Sequence, residues 1–209
     1  MKTFKIEIDN YPENYLNMIY RAGRNCYGAR DACSTKQDMA RFAKMLIKLG
    51  HESVLEHICV SVYAKDVSRS FLAQITRHRL VSYSVKSQHY VKHFDFPYKA
   101  LENWGKQQGR NIIHYQQLME RINQLYKIFI EDGIPHYIAR EILPNACLTD
   151  MYMTANVREW RHIINMRASK NNTPEIRDWA IDILLSMYSS MPELFEDLYI
   201  KYILGDKNE

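Results

Sequence analysis

Cysteine is scarce in this sequence and is poorly placed for metal or disulfide chemistry. The four cysteines, at positions 26, 33, 59 and 147, stand far apart and form no CxxC pair. That spacing fits neither a zinc ribbon nor the disulfide framework of a small secreted protein. We therefore expect reduced thiols and no metal site.

Long apolar runs are also missing. No window approaches the roughly 18 consecutive apolar residues that a membrane-spanning helix needs. The opening segment MKTFKIEIDNYPENY lacks the apolar stretch and the small-residue cleavage site of a signal peptide. We expect a soluble, cytoplasmic protein with no membrane partner.

The sequence has no large excess of charge of one sign. Its 28 Lys and Arg against 24 Asp and Glu give a formal net charge of +4, and its 46% hydrophobic residues are ordinary for a globular protein of 209 residues. This length predicts a single domain over residues 1–209. The arginines are nevertheless clustered, which favours a local anionic ligand and no nucleic-acid partner. The clusters are Arg77, His78 and Arg79, and then Arg158, Arg161, Arg167 and Arg177.

The first half of the chain mixes strand and helix patterns. Alternation predicts strands, a spacing of three to four apolar residues predicts helices, and Gly50 suits a helix C-cap. Ser53 and Glu56 have the spacing of a capping box. The predicted elements are a strand at 4–8, helices at 13–24 and 35–49, a helical turn from 53, a strand at 58–64, a helix at 67–79 and an ordered loop or irregular strand at 80–90.

The second half of the chain is predicted to be helical. A long helix or helical pair covers 101–132 and ends at Gly133, and a short helix follows Pro135. Prolines then open two further helical regions, 144–169 and 174–198. The fold class is therefore α+β and helix-rich, with a small, mostly antiparallel sheet.

The first candidate cluster is Arg77, His78 and Arg79, followed by Ser87. Two guanidiniums beside an imidazole offer many donors and a fixed positive charge, which suits a phosphate or an electron-rich ring. The alternative is a solvated basic helix end, which the helix dipole would stabilise.

The second cluster is HESVLEH at 51–57. Its spacing matches neither HExxH nor HxxEH, the signatures in which ligands meet on one helical face, so zinc is not favoured. The alternative is a capped helix start with exposed polar residues.

The third cluster runs from Ala139 to Pro144 and then from Asn156 to Arg167. On a helix, Arg158 and His162 share a face, while Asn156 and Arg167 return to nearly one azimuth. The basic residues on this helix repel one another because the helix has no matching acids, so we expect a bound counter-anion. A surface helix is the alternative.

These clusters together resemble the flavin-dependent thymidylate synthases. The family signature is Arg-His-Arg, seven residues and Ser, which residues 77–79 and 87 match in full. His-x-Ser-x-x-Glu-His is matched at 51–57, and Ala-Arg-x-x-Leu-Pro with a later Asn-x-Arg and Arg is matched from 139 to 167. The resemblance spans residues 51–177 and implies the fold of that family.

The resemblance implies two sets of ligand contacts, at sites formed between the subunits of a homotetramer. The cofactor set, for FAD, is His51, Ser53, Glu56, Arg77, His78, Arg79, Asn156, Arg158 and His162. The nucleotide set, for dUMP, is Gln74, Arg77, Val85, Ser87, Gln88, His89, Arg140 and Arg167.

The implied reaction methylates dUMP to dTMP, with methylene-tetrahydrofolate as carbon donor and FAD reduced by NADPH. We expect Arg167 to be the catalytic residue, because a guanidinium stays protonated and stabilises negative charge as uracil N3 ionises. No cysteine nucleophile is then needed, and Cys147 is expected to be a buried helix residue.

Four positions depart from the family pattern. His89 replaces an arginine, Val85 replaces Glu or Gln, and Asn172 and Thr173 replace Ala and Gln. Exchanging Arg for His removes a permanent charge and a bidentate fork, so we expect dUMP binding that is weaker or pH-dependent.

Two rival functions remain open. The altered loop could direct the enzyme to another pyrimidine nucleotide or to flavin-dependent C5 hydroxymethylation. Alternatively, a non-catalytic nucleic-acid-binding module could use the basic cluster with Tyr83 and Tyr90 for phosphate contact and stacking. Product mass, bound flavin and the salt dependence of binding distinguish these alternatives.

Overall fold

A computed structural model describes residues 4–29, 34–88, 96–101 and 109–205. Over these ranges the protein is mainly helical and contains one four-stranded antiparallel sheet. This confirms the predicted α+β, helix-rich fold class. Within the same ranges, none of the helices combines the length and apolarity needed to cross a bilayer.

The sheet has the strand order β1-β2-β4-β3. In β2, Val60, Val62 and Ala64 are fully buried and alternate with more exposed residues, as expected for a strand with one face on the core. The predicted strands at 4–8 and 58–64 are confirmed, and the segment after residue 80 contains a regular strand. The strands are β1 (Lys5–Asn10), β2 (Cys59–Ser68), β3 (Val81–Val85) and β4 (Leu148–Asn156).

Strand β4 corrects the prediction of a helix over 144–169. Its burial alternates residue by residue, with Met151 and Met153 inside, which is the period of a strand and not of a helix. Pro144 instead opens a turn in which the Cys147 amide donates to the Pro144 carbonyl over 2.9 Å. Cys147 is buried as predicted, but it precedes a strand and does not lie in a helix.

Most of the predicted helices are present. Helix α3 is shorter than predicted because β2 takes Val67 and Ser68, and residues 76–80 form turns after it. The helices are α1 (Tyr15–Asn25), α2 (Lys36–Lys48), α3 (Arg69–Ile75), α4 (Gly109–Glu131), α5 (His136–Ala139), α6 (Val157–Arg167), α7 (Pro174–Ser190) and α8 (Pro192–Tyr199), with 3-10 helices at Glu52–His57 and Arg140–Ile142 and a π-helical end at Ile200–Leu204.

Local signals explain where two helices end and correct one cap. Gly50 follows α2 with φ of 74° and Gly133 follows α4 with φ of 78°, a conformation that glycine adopts at little cost. The capping box predicted at Ser53 was wrong, because the 3-10 helix there begins at Glu52 without a side-chain cap. A capping box occurs instead at Thr35, the N-cap of α2.

The chain divides into two compact units. Unit 1 is Met1–Lys5, Ala64–Ile75 and Ser84–Met151, and unit 2 is Ile6–Tyr63, Thr76–Tyr83 and Tyr152–Glu209. All four strands contribute residues to both units. The expectation of a single domain over residues 1–209 stays a prediction.

The core of unit 2 holds helix α6 in place. Trp160 of α6 and Trp179 of α7 are fully buried, with ring centroids 6.3 Å apart. The Trp160 indole N–H also donates to the Val60 carbonyl over 3.0 Å. Burying each large ring contributes a few kcal/mol, roughly 25 cal/mol per Å² of apolar surface. The anchored face leaves the polar face of α6 to carry chemistry.

Candidate active site

Helix α6 begins at Asn156, where β4 ends. The Asn156 side-chain oxygen accepts a hydrogen bond from the Glu159 amide over 2.9 Å, which satisfies a backbone donor that the first turn leaves unpaired. The side chain that the sequence assigned to a ligand therefore also starts the helix. Arg158, His162 and Arg167 then follow on α6.

The Arg-His-Arg segment lies in the turns between α3 and β3. Arg77 and Arg79 are exposed, whereas His78 between them is only 5% exposed. The Tyr83 hydroxyl donates to the His78 carbonyl over 3.0 Å and ties this turn to β3. The three residues therefore differ in environment, with the two guanidiniums in solvent and the imidazole inside.

His78 lies at the centre of a polar cluster in unit 2. The Arg167 Nε donates to His78 Nε2 over 3.0 Å, and the Glu159 carboxylate lies 3.5 Å from His78 Nδ1. The His162 ring meets the His78 ring edge to face, with centroids 5.7 Å apart. Burial, together with the charges of Arg167 and His162, lowers the pKa of His78 to about 4. The imidazole is therefore neutral at physiological pH.

A groove runs along the polar face of α6, and we call it the α6 groove. Its volume is about 940 Å³, which falls within the range of pockets that hold drug-sized ligands or cofactors. Four members of the cofactor set line it: Glu56, Asn156, Arg158 and His162. The remaining lining residues are Glu52, Leu80, Glu159, Arg161, Asn165, Asp197, Leu198 and Lys201.

The expectation that α6 needs an external counter-anion was wrong for two of its arginines. Arg158 pairs with Glu56 over 2.5 Å, and Arg161 pairs with Asp197 over 2.6 Å and with Glu52 over 3.4 Å. The acids come from other elements, the 3-10 helix and α8. Because ion pairs between distant segments leave no mark on helical spacing, the sequence pattern could not show them.

Ser53 and His51 lie apart from the α6 groove. Ser53 lines a separate groove of about 580 Å³, together with Arg21, Cys26 and His57. His51 is exposed at the N-cap of the 3-10 helix. Within unit 2, the cofactor set is thus distributed over two grooves, three exposed residues and one buried residue: the exposed ones are His51, Arg77 and Arg79, and the buried one is His78.

Most of the nucleotide set belongs to unit 1. Ser87 and Gln88 line a cavity of about 30 Å³, where the Gln88 amide donates to the Cys147 Sγ over 3.4 Å. Burial raises the pKa of the Cys147 thiol. Arg69 also lines this cavity, and its Nε is buried with no hydrogen-bond partner among the described residues.

The other nucleotide residues have different surroundings. Gln74 on α3 donates to the Ser70 carbonyl over 3.3 Å, and Arg140 is exposed where the second 3-10 helix begins. Val85 is the last residue of β3 and is half-buried. His89 lies outside the described residues.

Asn172, one of the departures from the family pattern, has a local structural role. Its side-chain amide donates to the Met166 carbonyl over 2.9 Å and to the Ser169 carbonyl over 3.3 Å. These bonds satisfy carbonyls at the C-terminal end of α6. Asn172 thus fixes the helix end that carries Arg167.

Comparison with known proteins identifies the family. The family model described as thymidylate synthase complementing protein matches residues 8–193. The chain belongs to this family. The match includes every motif discussed above and helices α1 to α7.

Several relatives of this chain carry the name flavin-dependent thymidylate synthase. The protein of Mycolicibacterium vanbaalenii is 34% identical over 207 residues, covering 92% of this chain and 82% of the relative. Those of Geobacter sulfurreducens and Mycobacterium tuberculosis are each 32% identical, covering 84% and 88% of this chain and 78% and 79% of the relatives. The likeness therefore extends over most of each chain.

Sequence reasoning missed Glu159 and gave Tyr83 only a part in base stacking. Glu159 is 8% exposed and contacts His78, and Tyr83 holds the backbone of the same histidine. One signal was available for Glu159, since a glutamate three residues after an N-cap asparagine lies in the first turn of the helix. Its contact with His78, far away in sequence, had no such signal.

Proposed function

We propose that this protein is a flavin-dependent thymidylate synthase that methylates dUMP to dTMP, with methylene-tetrahydrofolate as carbon donor and NADPH as reductant of FAD. The observation that carries the proposal is the contact of Arg167 with a buried, neutral His78, in a chain whose relatives are named flavin-dependent thymidylate synthase. We also propose the homotetramer and the shared active sites that the resemblance implies. The cytoplasmic location stays a prediction.

The residues of the α6 groove fit a flavin dinucleotide. The groove is large enough and offers both donors and charged side chains. The Arg158–Glu56 pair is about half exposed on each side, so solvent screens it and a phosphate can displace the carboxylate at little cost. Arg161 is different, because it is buried and held by two carboxylates.

Bound FAD supplies the reducing equivalents that turn the transferred one-carbon unit into a methyl group. Within the protein, Glu56, Asn156, Arg158 and His162 would hold the cofactor along the α6 groove, and Arg77 and Arg79 would add exposed positive charge. Ser53 would contribute from the second groove, and His51 from its exposed position at the N-cap of the 3-10 helix. His78 would act from beneath this surface, since it is buried.

Arg167 would activate the nucleotide without a covalent bond to the protein. Its guanidinium remains charged at any physiological pH and can stabilise negative charge on uracil as N3 ionises. Cys147, which lines the same cavity as Ser87 and Gln88, is buried with a raised thiol pKa, which disfavours the thiolate that a nucleophile would need.

The remaining nucleotide contacts would come from Gln74, Arg77, Ser87, Gln88 and Arg140. Val85 and His89 depart from the family pattern, and they flank Ser87 and Gln88 in the sequence. Because His89 lacks the permanent charge of an arginine, we expect the affinity for dUMP to decrease between about pH 6 and 8 as a histidine there loses its proton. Isothermal titration with dUMP measures this, and tight binding that does not change with pH contradicts it.

The experiment that tests the function needs only the purified protein. We expect the visible spectrum of bound flavin, and formation of dTMP when dUMP, methylene-tetrahydrofolate and NADPH are all present. Omission of each substrate in turn is the control. A product heavier than dTMP by one oxygen would point to hydroxymethylation, and a colourless protein that binds RNA or DNA in a salt-dependent manner would contradict the proposal.

A further inference from the structure

We propose that Glu159 and His78 are positioning residues that act through Arg167. The three side chains form one connected series inside unit 2, from the Glu159 carboxylate to the His78 imidazole to the Arg167 guanidinium. We call this series the positioning triad. The inference rests on the proposed function only for the role of Arg167 towards the nucleotide.

The hydrogen bond between His78 and Arg167 determines where the histidine carries its proton. A guanidinium has only donors, so His78 Nε2 must accept the bond from Arg167 Nε and carries no hydrogen. The proton of the neutral ring is then on Nδ1, the nitrogen that lies 3.5 Å from Glu159. Glu159 thereby selects the tautomer in which His78 can hold Arg167.

Burial makes this arrangement selective. His78 is 5% exposed and Glu159 is 8% exposed, so water competes little for either group. A histidine ring with Nε2 protonated would place an N–H against the guanidinium, and both buried donors would lose their acceptor. The other tautomer is therefore strongly disfavoured while Arg167 stays in place.

Burial first, and then two neighbouring charges, keep the ring neutral by lowering its pKa. Arg167 and His162, both on α6, face His78 and oppose its protonation, and Glu159 is the acid in contact with it. Tyr83 on β3 faces the same turn, and burial raises the pKa of its hydroxyl to about 12. A neutral ring can accept from Arg167, whereas a protonated ring would repel it.

The triad also explains what each member does for the proposed reaction. Glu159 is held by the first turn of α6, where its amide is bonded to Asn156, and Arg167 is held by the last turn of the same helix. His78, in the turns between α3 and β3, contacts Glu159 at one end of α6 and Arg167 at the other. The guanidinium is thereby oriented before the nucleotide binds, which lowers the reorganisation needed in the transition state.

The first test is NMR of the protein without cofactor or substrate, with ¹⁵N-labelled histidine. We expect one histidine, assigned by its absence in His78→Gln, to show Nδ1 protonated and Nε2 unprotonated from about pH 5.5 to 8. Protonation of Nε2, or titration of this ring within that range, overturns the inference. Because no turnover is needed, the result is independent of whether dTMP is formed.

The second test separates positioning from binding in the assay for dTMP. We expect Glu159→Ala to lower kcat by about 10- to 100-fold with little change in the KM for dUMP, since a loss of orientation acts on the transition state. Glu159→Gln keeps an acceptor oxygen and is expected to recover most of that loss. A change confined to KM, or an unchanged kcat, contradicts the inference.

Glu193→Ala is the matched control. It also removes a partly buried carboxylate of unit 2 that accepts a hydrogen bond, here from the Tyr15 hydroxyl over 2.6 Å. We expect the His78 tautomer and kcat to be unchanged in this variant. Equal effects of Glu193→Ala and Glu159→Ala would show a general loss of stability and overturn the inference.

Discussion

Two arginines of helix α6 are held in opposite ways. Arg161 is buried and bonded to carboxylates of Asp197 and Glu52, whereas Arg167 donates to the neutral ring of His78. The first arrangement cancels the charge of the guanidinium where it is buried. The second orients the guanidinium through a contact that does not neutralise it. The comparison suggests that Arg161 serves stability and that Arg167 can serve chemistry.

The largest expected effect is on activity at Arg167. We expect Arg167→Gln to lower kcat by about 10³-fold, the loss typical of removing one group that stabilises developing charge. Formation of dTMP at saturating dUMP measures this. Arg121→Gln, at an exposed arginine of α4, is the control and should retain wild-type activity. Comparable activity of the two variants would contradict a catalytic role of Arg167.

The sequence indicated the residues around Arg167 better than those around Arg161. Arg167 and His78 lie in family motifs, and helix α6 was expected from its composition. The partners of Arg161 could not be predicted, because Glu52 and Asp197 approach it only after the 3-10 helix and α8 have packed. Contacts of this kind depend on tertiary structure and have no local period.

Strand β4 was predicted wrongly for a different reason. The alternation of buried residues along Leu148–Asn156 is visible in the sequence as a period of two, but the proline before it and the basic helix after it favoured one long helix. The C-terminal ends of α2 and α4 were predicted well because a glycine with positive φ follows each helix, whereas residues 102–108 of the predicted helix over 101–132 lie outside the described residues. Strong end signals thus fixed boundaries better than periodicity alone.

The second prediction tests whether Arg161 serves stability. We expect Asp197→Asn to lower the free energy of unfolding by about 2 kcal/mol, less than the full cost of breaking a buried pair because Asp197 is half exposed. Denaturant unfolding measures this. Glu196→Gln is the control on the same helix, since its 2.7 Å pair with Lys44 is exposed on both sides and should contribute less than about 1 kcal/mol. Equal losses in both variants would contradict the assignment.

The third prediction concerns the neutral histidine that holds Arg167. The pKa of His78 is lowered from 6.5 to about 4, so below pH 6.5 the unfolded chain takes up a proton that the folded protein does not. Stability should therefore decrease as the pH falls, by about 1.6 kcal/mol between pH 6.5 and 5, because the slope reaches 1.36 kcal/mol per pH unit only once the unfolded histidine is fully protonated. His78→Gln should lose this part of the slope, as followed by thermal unfolding at each pH. His114→Gln, at an exposed position of α4, should keep it.

The smallest effect is expected at Asn156, where the helix that carries both arginines begins. Asn156→Ala removes the side-chain acceptor for the Glu159 amide and should cost about 1 kcal/mol in the protein without cofactor. Asn156→Ser keeps a capping oxygen and should restore most of it. If both variants lost activity while only the alanine variant lost stability, Asn156 would have two separable roles, as a cap and as a contact in the α6 groove. Equal stability of the two variants would instead show that α6 is fixed by Trp160 and its neighbours in the core, and that the placement of Arg161 and Arg167 does not depend on the cap.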